Sequence, residues 1–280
     1  MKVAVQSHAR DNAQLEHEFN KIIEAGHVPV SYGYFIDHEK HIVKIIGLEE
    51  IPLDEFVFNR ASVQILRLYF VLKYNFVGHI PKGFLESLVY DIDGFDIRNM
   101  PENPIMINKV PGKYSFMLLD LALTNHNLKT TFYKPILDLK LITGTVVPEG
   151  QCLSDIVGDR TNFSDRALGS IMLVSENIVK LKREIRCFVV DNKVITCGQY
   201  KKDDEYNIEP LTESEENYFI GVAQMLLSQY YSPAKNCTID VGLIDDVTPV
   251  VIEYNCLNTS GMYNINSGKL FKALEKQFGI

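Results

Sequence analysis

The residues best suited to chemistry lie between positions 238 and 255. Thr238-Ile239-Asp240-Val241-Gly242-Leu243-Ile244 and Pro249-Val250-Val251-Ile252-Glu253-Tyr254-Asn255 are two strand-like runs around a polar turn. A hairpin centred between Asp246 and Val247 sets Leu243 against Val250, Val241 against Ile252 and Ile239 against Tyr254, an apolar face. The opposite face then pairs Asp240 with Glu253 and carries Asn255 two residues further on. Two carboxylates directly across a sheet repel and destabilise it. A divalent cation between them would remove that cost, and Asp, Glu and Asn oxygens are the hard donors that magnesium takes together with water and phosphate. A solvated face, with strand twist holding the carboxylates apart, is the other reading. Pairing alone leaves both open.

The other reactive residue types narrow the chemistry. All seven histidines (His8, His17, His27, His38, His41, His79 and His126) precede Asn127. Chemistry in the second half therefore has to use carboxylates, lysines, arginines or a metal on oxygen ligands. His38 and His41 read as a solvated charged surface, since no third metal ligand is near them in sequence. Cys152, Cys187, Cys197, Cys237 and Cys256 form no CxxC pair and read as reduced, buried thiols, with Cys187 and Cys256 as core packing.

A chain of 280 residues, 46% hydrophobic and 23% charged, can bury a substantial core. Its formal charge of −8 makes a nucleic-acid backbone an unexpected partner. The longest apolar run, 63–77, is broken by Arg67 and Lys73, well short of the roughly 20 residues that span a bilayer. The sequence around Lys2 turns polar too soon for a secretion signal. The expectation is a cytoplasmic protein with no membrane partner.

The elements that must position these residues alternate along the chain. A strand over 2–6, a helix over 13–25 ended by Gly26, and a strand over 29–35 begin an α/β layer. A strand over 54–59 and helices over 61–74 and 84–90 follow. The proline-rich text from Arg98 to Pro104 marks a boundary. The second half reads as α+β: a helix over 114–124, strands over 130–134, 141–147, 170–174, 185–190 and 193–199, a helix over 213–228, the carboxylate hairpin, and a helix over 267–277. Asp191-Asn192 suits a tight hairpin turn.

Spacing and flanking text resemble a known family. Asp240, Glu253 and Asn255, followed by Asn258-Thr259-Ser260-Gly261-Met262, resemble the magnesium-binding end of ATP-grasp ligases such as the D-alanine–D-alanine ligases. Glu184-Ile185-Arg186-Cys187-Phe188-Val189-Val190 looks like a segment of the ribosomal-protein glutamate ligases of the same superfamily. Phe132-Tyr133-Lys134-Pro135 matches the strand whose lysine reaches the nucleotide. Lys134-Pro135, with Lys140, Thr143 and Gly144 downstream, resembles a compact phage and bacterial ATP-grasp clade. Where these enzymes fold a glycine-rich loop over the phosphates, only Gly144 and Gly150 occur.

The resemblance implies an ATP-grasp fold, α/β and α+β, with a pre-ATP domain over 1–103 and two ATP-binding subdomains over 104–175 and 176–280. It implies ATP and Mg2+ (or Mn2+) as cofactors, with Asp240, Glu253 and Asn255 as metal ligands. Lys109, Lys134, Lys140, Ser175, Glu184, Arg186 and Lys201 would serve the nucleotide, and Arg186 and Lys140 would also serve catalysis. Lys201, in the charged run 201–204, and Arg60 are further candidates for meeting an anionic substrate, with a solvated charge run and a surface cap as their alternatives. The implied activity is a carboxylate–amine ligase acting through an acyl phosphate on small-molecule or peptide substrates, and a homodimer is compatible with it. A kinase of the same fold, or a nucleotide-binding regulatory protein, are the alternatives.

Overall fold

A computed structural model of the protein describes residues 2–6, 12–37, 42–46, 57–60, 114–136, 142, 144–176, 180–229, 235–245, 247–257 and 260–278. The expected helices over 61–74 and 84–90 lie outside these residues. The described chain forms three sheets.

The first sheet has the order β3-β2-β1-β4, from β1 (Lys2–Gln6), β2 (Val28–Asp37), β3 (Ile42–Ile46) and β4 (Val57–Arg60). Strand β1 runs parallel to β2 and β4, and β3 returns antiparallel to β2. Helix α1 (Asn12–Glu24) connects β1 to β2. Gly26, at φ +81°, ends it, and the Gly26 and His27 amides bond back to the carbonyls of Ile23 and Ile22. This paired closure is a Schellman motif, which needs the left-handed residue that glycine supplies. Strand β3 is an addition to the expected elements, because its run of Ile-Val-Lys-Ile-Ile follows charged text with no turn signal.

The second sheet has the order β5-β8-β6-β7 and is antiparallel throughout: β5 (Tyr114–Leu118), β6 (Thr131–Pro135), β7 (Thr145–Val147) and β8 (Ile171–Ser175). The helix expected over 114–124 is therefore only its second half, α2 (Leu119–Thr124). Residues 114–118 extend because they pair with β8 along its whole length, so tertiary pairing overrides a local pattern that suited either element. The strand expected over 141–147 shortens to three residues. Tyr133, Leu119, Ala122, Leu123, Leu153 and Met172 form the core of this unit.

The third sheet carries most of the candidate chemistry. Its order is β11-β10-β9-β12-β13, from β9 (Arg183–Val190), β10 (Lys193–Lys202), β11 (Glu205–Tyr206), β12 (Cys237–Leu243) and β13 (Pro249–Cys256). Asp191-Asn192 and Asp203-Asp204 are both two-residue turns with positive φ at each position, the type I′ geometry of tight hairpins. The charged run 201–204 is thus the end of β10 and its turn. Helices α3 (Glu213–Gln229) and α4 (Ser267–Phe278) pack on this sheet. Val3, Val5 and Ile22 of the first unit share one core with Phe188, Leu257, Leu270, Phe271 and Leu274. The four cysteines whose side chains are described, Cys152, Cys187, Cys197 and Cys237, are buried thiols. Among the described residues no helix is long and apolar enough to cross a membrane.

Candidate functional site

Strand register brings the site together. Arg186 on β9 lies across from Asp240 on β12, and Asp240 lies across from Glu253 on β13. The expected Asp240–Glu253 pair is present. The expected Val241–Ile252 and Leu243–Val250 pairs are not, because a bulge follows Asp240 and sets Val241 opposite Val251 and Leu243 opposite Pro249. A bulge places two residues opposite one and bends the strand, here immediately beside the carboxylate pair.

The repulsion between the two carboxylates is met by protein cations. Arg186 donates from Nε to Oδ1 of Asp240 at 2.8 Å and from Nη2 to Oδ2 at 2.7 Å. Such a fork is the strongest geometry an arginine offers a carboxylate. Lys134, at the end of β6 in the second sheet, pairs through Nζ with Oε2 of Glu253. Asn255 Nδ2 donates to Oε1 of Glu253 at 2.8 Å and reaches Oδ2 of Asp240 at 3.3 Å. Asp240 is fully buried, whereas Lys134 and Glu253 keep 21% and 27% of their side chains exposed. The inner pair is nearly sealed from solvent, and the outer pair is partly exposed.

Burial pushes the Asp240 carboxyl up from the ordinary range, against the pull of Arg186. Burial also pushes Glu253 up, but Lys134, Asn255 and Arg186 outweigh it and hold that carboxyl down at about 2. Arg186 is raised: burial opposes its charge, and Asp240 more than compensates.

A second bulge, at Tyr200, extends the network. Lys201 registers with Glu184, Gln199 registers with Ile185, and Tyr200 is the extra residue between them. Neighbours on a regular strand face opposite sides, yet here both Tyr200 and Lys201 reach one carboxylate. Tyr200 donates to Glu184 at 2.7 Å, and Lys201 Nζ lies 2.9 Å from its other oxygen. Tyr200 and Tyr263 stack with centroids 5.2 Å apart, and the Arg186 guanidinium lies 5.4 and 5.3 Å from the two rings. Burial, with Asp240 and Glu184 adding to it, pushes the Tyr200 hydroxyl up, so it remains a donor. Neither tyrosine carries a sequence signal. Tyr200 depends on the bulge, and Tyr263 on a positive φ of 43° that turns the chain back toward Arg186.

The structure thus joins Lys134, Arg186, Asp240, Glu253 and Asn255 directly, and connects Glu184 and Lys201 to them through Tyr200. Ser175 is buried at the end of β8, beside Phe132 and two register positions from the Lys134–Leu173 pair. Lys109 and Lys140 lie outside the described residues. Among the described residues no group of three or more His, Cys, Asp or Glu side chains converges as a metal cluster. The donor set is instead two carboxylates and an amide, and by its chemistry it fits a hard dication that also binds phosphate and water.

Two antiparallel sheets, bridged by the Lys134–Glu253 ion pair and preceded by an α/β unit, make up an ATP-grasp fold. The chain belongs to the family described as ATP-grasp domain, R2K clade family 2, whose model matches residues 115–273. Among solved structures it is similar to D-cycloserine synthetase DcsG, at 12% identity over 99% of this chain and 100% of that one, with a TM-score of 0.55. A RimK domain protein ATP-grasp from Sphaerobacter thermophilus DSM 20745 matches at 12% identity over 98% and 99% of the two chains, with a TM-score of 0.50. The ATP-grasp ligase PsnB, solved with minimal precursor, Mg and ADP, matches at 14% identity over 100% and 98%, with a TM-score of 0.44. No curated protein matches the sequence.

Proposed function

We propose that this protein is an ATP-dependent carboxylate–amine ligase. The observation that carries the reading is the convergence of Lys134 from the second sheet with Glu253, Asn255, Asp240 and Arg186 from the third. Membership of the ATP-grasp family supports reading the region between these sheets as the nucleotide site. Glu253, Asn255 and Asp240 would hold magnesium, which would neutralise phosphate charge and orient the reacting phosphoryl group. Lys134, with Lys109 and Lys140, would contact phosphates, and Glu184 would hold the ribose with Lys201 close by. Residues 1–103 would act as the pre-ATP domain, with 104–175 and 176–280 enclosing the nucleotide.

In this reading a substrate carboxylate oxygen attacks the γ-phosphorus of ATP and ADP leaves, giving an acyl phosphate. An amine then attacks the acyl carbon, phosphate departs and an amide remains. The protein's part is mainly positioning and fixed charge. Arg186 pulls against the burial that raises the Asp240 carboxyl and fixes it through the fork, and the stacked Tyr200 and Tyr263 rings flank the guanidinium. No thiol or imidazole nucleophile is required.

The test is a thermal shift with a non-hydrolysable ATP analogue, with and without magnesium, on wild type and Glu253→Gln. Ligand at 100 times its dissociation constant adds about 2.7 kcal/mol of stability. A magnesium-dependent rise in wild type that vanishes in Glu253→Gln is expected. Equal behaviour of the two proteins removes the metal assignment. A screen of carboxylates and amines then distinguishes the chemistry: ADP with free phosphate and a new amide supports the ligase, and ADP with a stable phosphorylated product supports a kinase.

A further inference from the structure

The two cations at the carboxylate pair differ in kind. Arg186 is committed to a fully buried Asp240 through two hydrogen bonds within one sheet. Lys134 reaches Glu253 from a different sheet, and both side chains remain partly exposed. Asp240, Glu253, Arg186 and Lys134 together carry no net charge. A neutral patch holds little attraction for a dication, whose dehydration needs uncompensated negative oxygens. Removing Lys134 from the patch restores one negative charge at the more exposed carboxylate. Nucleotide phosphates, arriving in the same region, are a competing anionic partner for that ammonium.

We propose that Lys134 is an exchangeable counter-ion that holds the metal position at Glu253 until nucleotide phosphates draw it away. This rests on the metal site proposed above and assigns it an order of events: metal alone binds weakly, and metal and nucleotide each strengthen the binding of the other. Such coupling is reciprocal and is commonly about five- to 150-fold between linked sites. Lys134 is then a positioning residue for the metal as well as a phosphate contact. Its two partners, Glu253 and the nucleotide, are used in turn.

The experiment is a titration with Mn2+, following free ion by electron paramagnetic resonance, on wild type, Lys134→Met and Lys134→Gln without nucleotide. Methionine matches the lysine side chain as far as Cε and removes the charge, and glutamine is the second variant should the first fail to fold. Either folded variant is expected to bind Mn2+ alone about tenfold or more tighter than wild type. Adding Glu253→Gln to that variant is expected to cancel the gain. Nucleotide-analogue binding is measured in parallel with and without Mn2+. If wild type binds the analogue in a metal-dependent way but neither lysine variant gains Mn2+ affinity, the counter-ion role is overturned and the site reading stands. If wild type shows no metal-dependent analogue binding, the site reading itself fails.

Discussion

Arg186 and Asp240 face one another across β9 and β12, and the arginine donates to both carboxylate oxygens at 2.8 and 2.7 Å. The pair is fixed by register rather than by a loop. Asp240 is fully buried, so its charge has no access to water if the arginine is lost. Breaking a buried pair by removing one partner costs about 3–5 kcal/mol. Arg186→Ala is expected to lose stability in that range, read as the urea midpoint. Arg186→Lys keeps the charge but not the fork, and is expected to lose about 1–3 kcal/mol. A loss below about 1 kcal/mol in Arg186→Ala would mean that Asp240 is solvated or protonated and that Arg186 does not position it.

Glu253 has a defined pH signature. Its folded carboxyl is held at about 2, below its ordinary value near 4.5. A depressed acid contributes stability that is present above about 4.5 and is lost as pH falls through 4.5 toward 2. One pKa unit between the folded and unfolded values corresponds to about 1.4 kcal/mol, so the contribution is on the order of 3 kcal/mol. Burial alone pushes this carboxyl up, and Lys134 is the first of the groups that pull it down. Lys134→Met should therefore raise the Glu253 titration midpoint in a carbon-13 NMR titration and shrink the acid loss of stability. An unchanged midpoint would show that Lys134 and Glu253 are not paired in solution.

Much of this is legible in the sequence, for reasons that are local. The carboxylate hairpin follows from alternation about a polar turn, and Asp240 does face Glu253. Glu184 and Arg186, marked by their flanking text, do lie beside that pair. What escapes the sequence depends on single-residue insertions and on distant chain. The bulge after Asp240 moves Ile252 out of register without any change in composition. The bulge at Tyr200 lets two consecutive residues share Glu184. Lys134 reaches Glu253 across 119 positions of sequence, so the cation that neutralises the pair is invisible to strand pattern. Residues 114–118 suit a helix as well as a strand because their apolar side chains fit both periods, and only the β8 partner decides.

The first unit and the C-terminal helix form one hydrophobic body. Val3, Val5 and Ile22 share a core with Phe271 and Leu274 of α4, and Phe271 is fully buried. Truncating a buried phenylalanine costs about 3–5 kcal/mol through lost burial and the cavity left behind. Phe271→Ala is expected to fall in that range and to expose the β1–α1–β2 segment to protease along with α4. Destabilisation of α4 with the segment still protected would mean that the two do not fold as a unit.

His27 ties that same interface to pH. The Schellman closure at Gly26 delivers its ring to α4, where it meets Phe271 edge-on at a centroid distance of 4.9 Å. Its Nδ1 lies 3.6 Å from Glu275, but burial is the larger effect and lowers the imidazole from its ordinary value of 6.5. A histidine with a lowered folded pKa binds fewer protons in the folded state than in the unfolded one. Its contribution to stability is therefore complete above about pH 6.5 and declines as pH falls below it. Wild type should lose stability between about pH 7.5 and 5.5 in urea titrations, and His27→Phe should lose less over the same interval. The aromatic substitution keeps the contact with Phe271 and removes the titrating group. Equal losses in the two proteins would mean that protonation of His27 does not oppose the docking of α4.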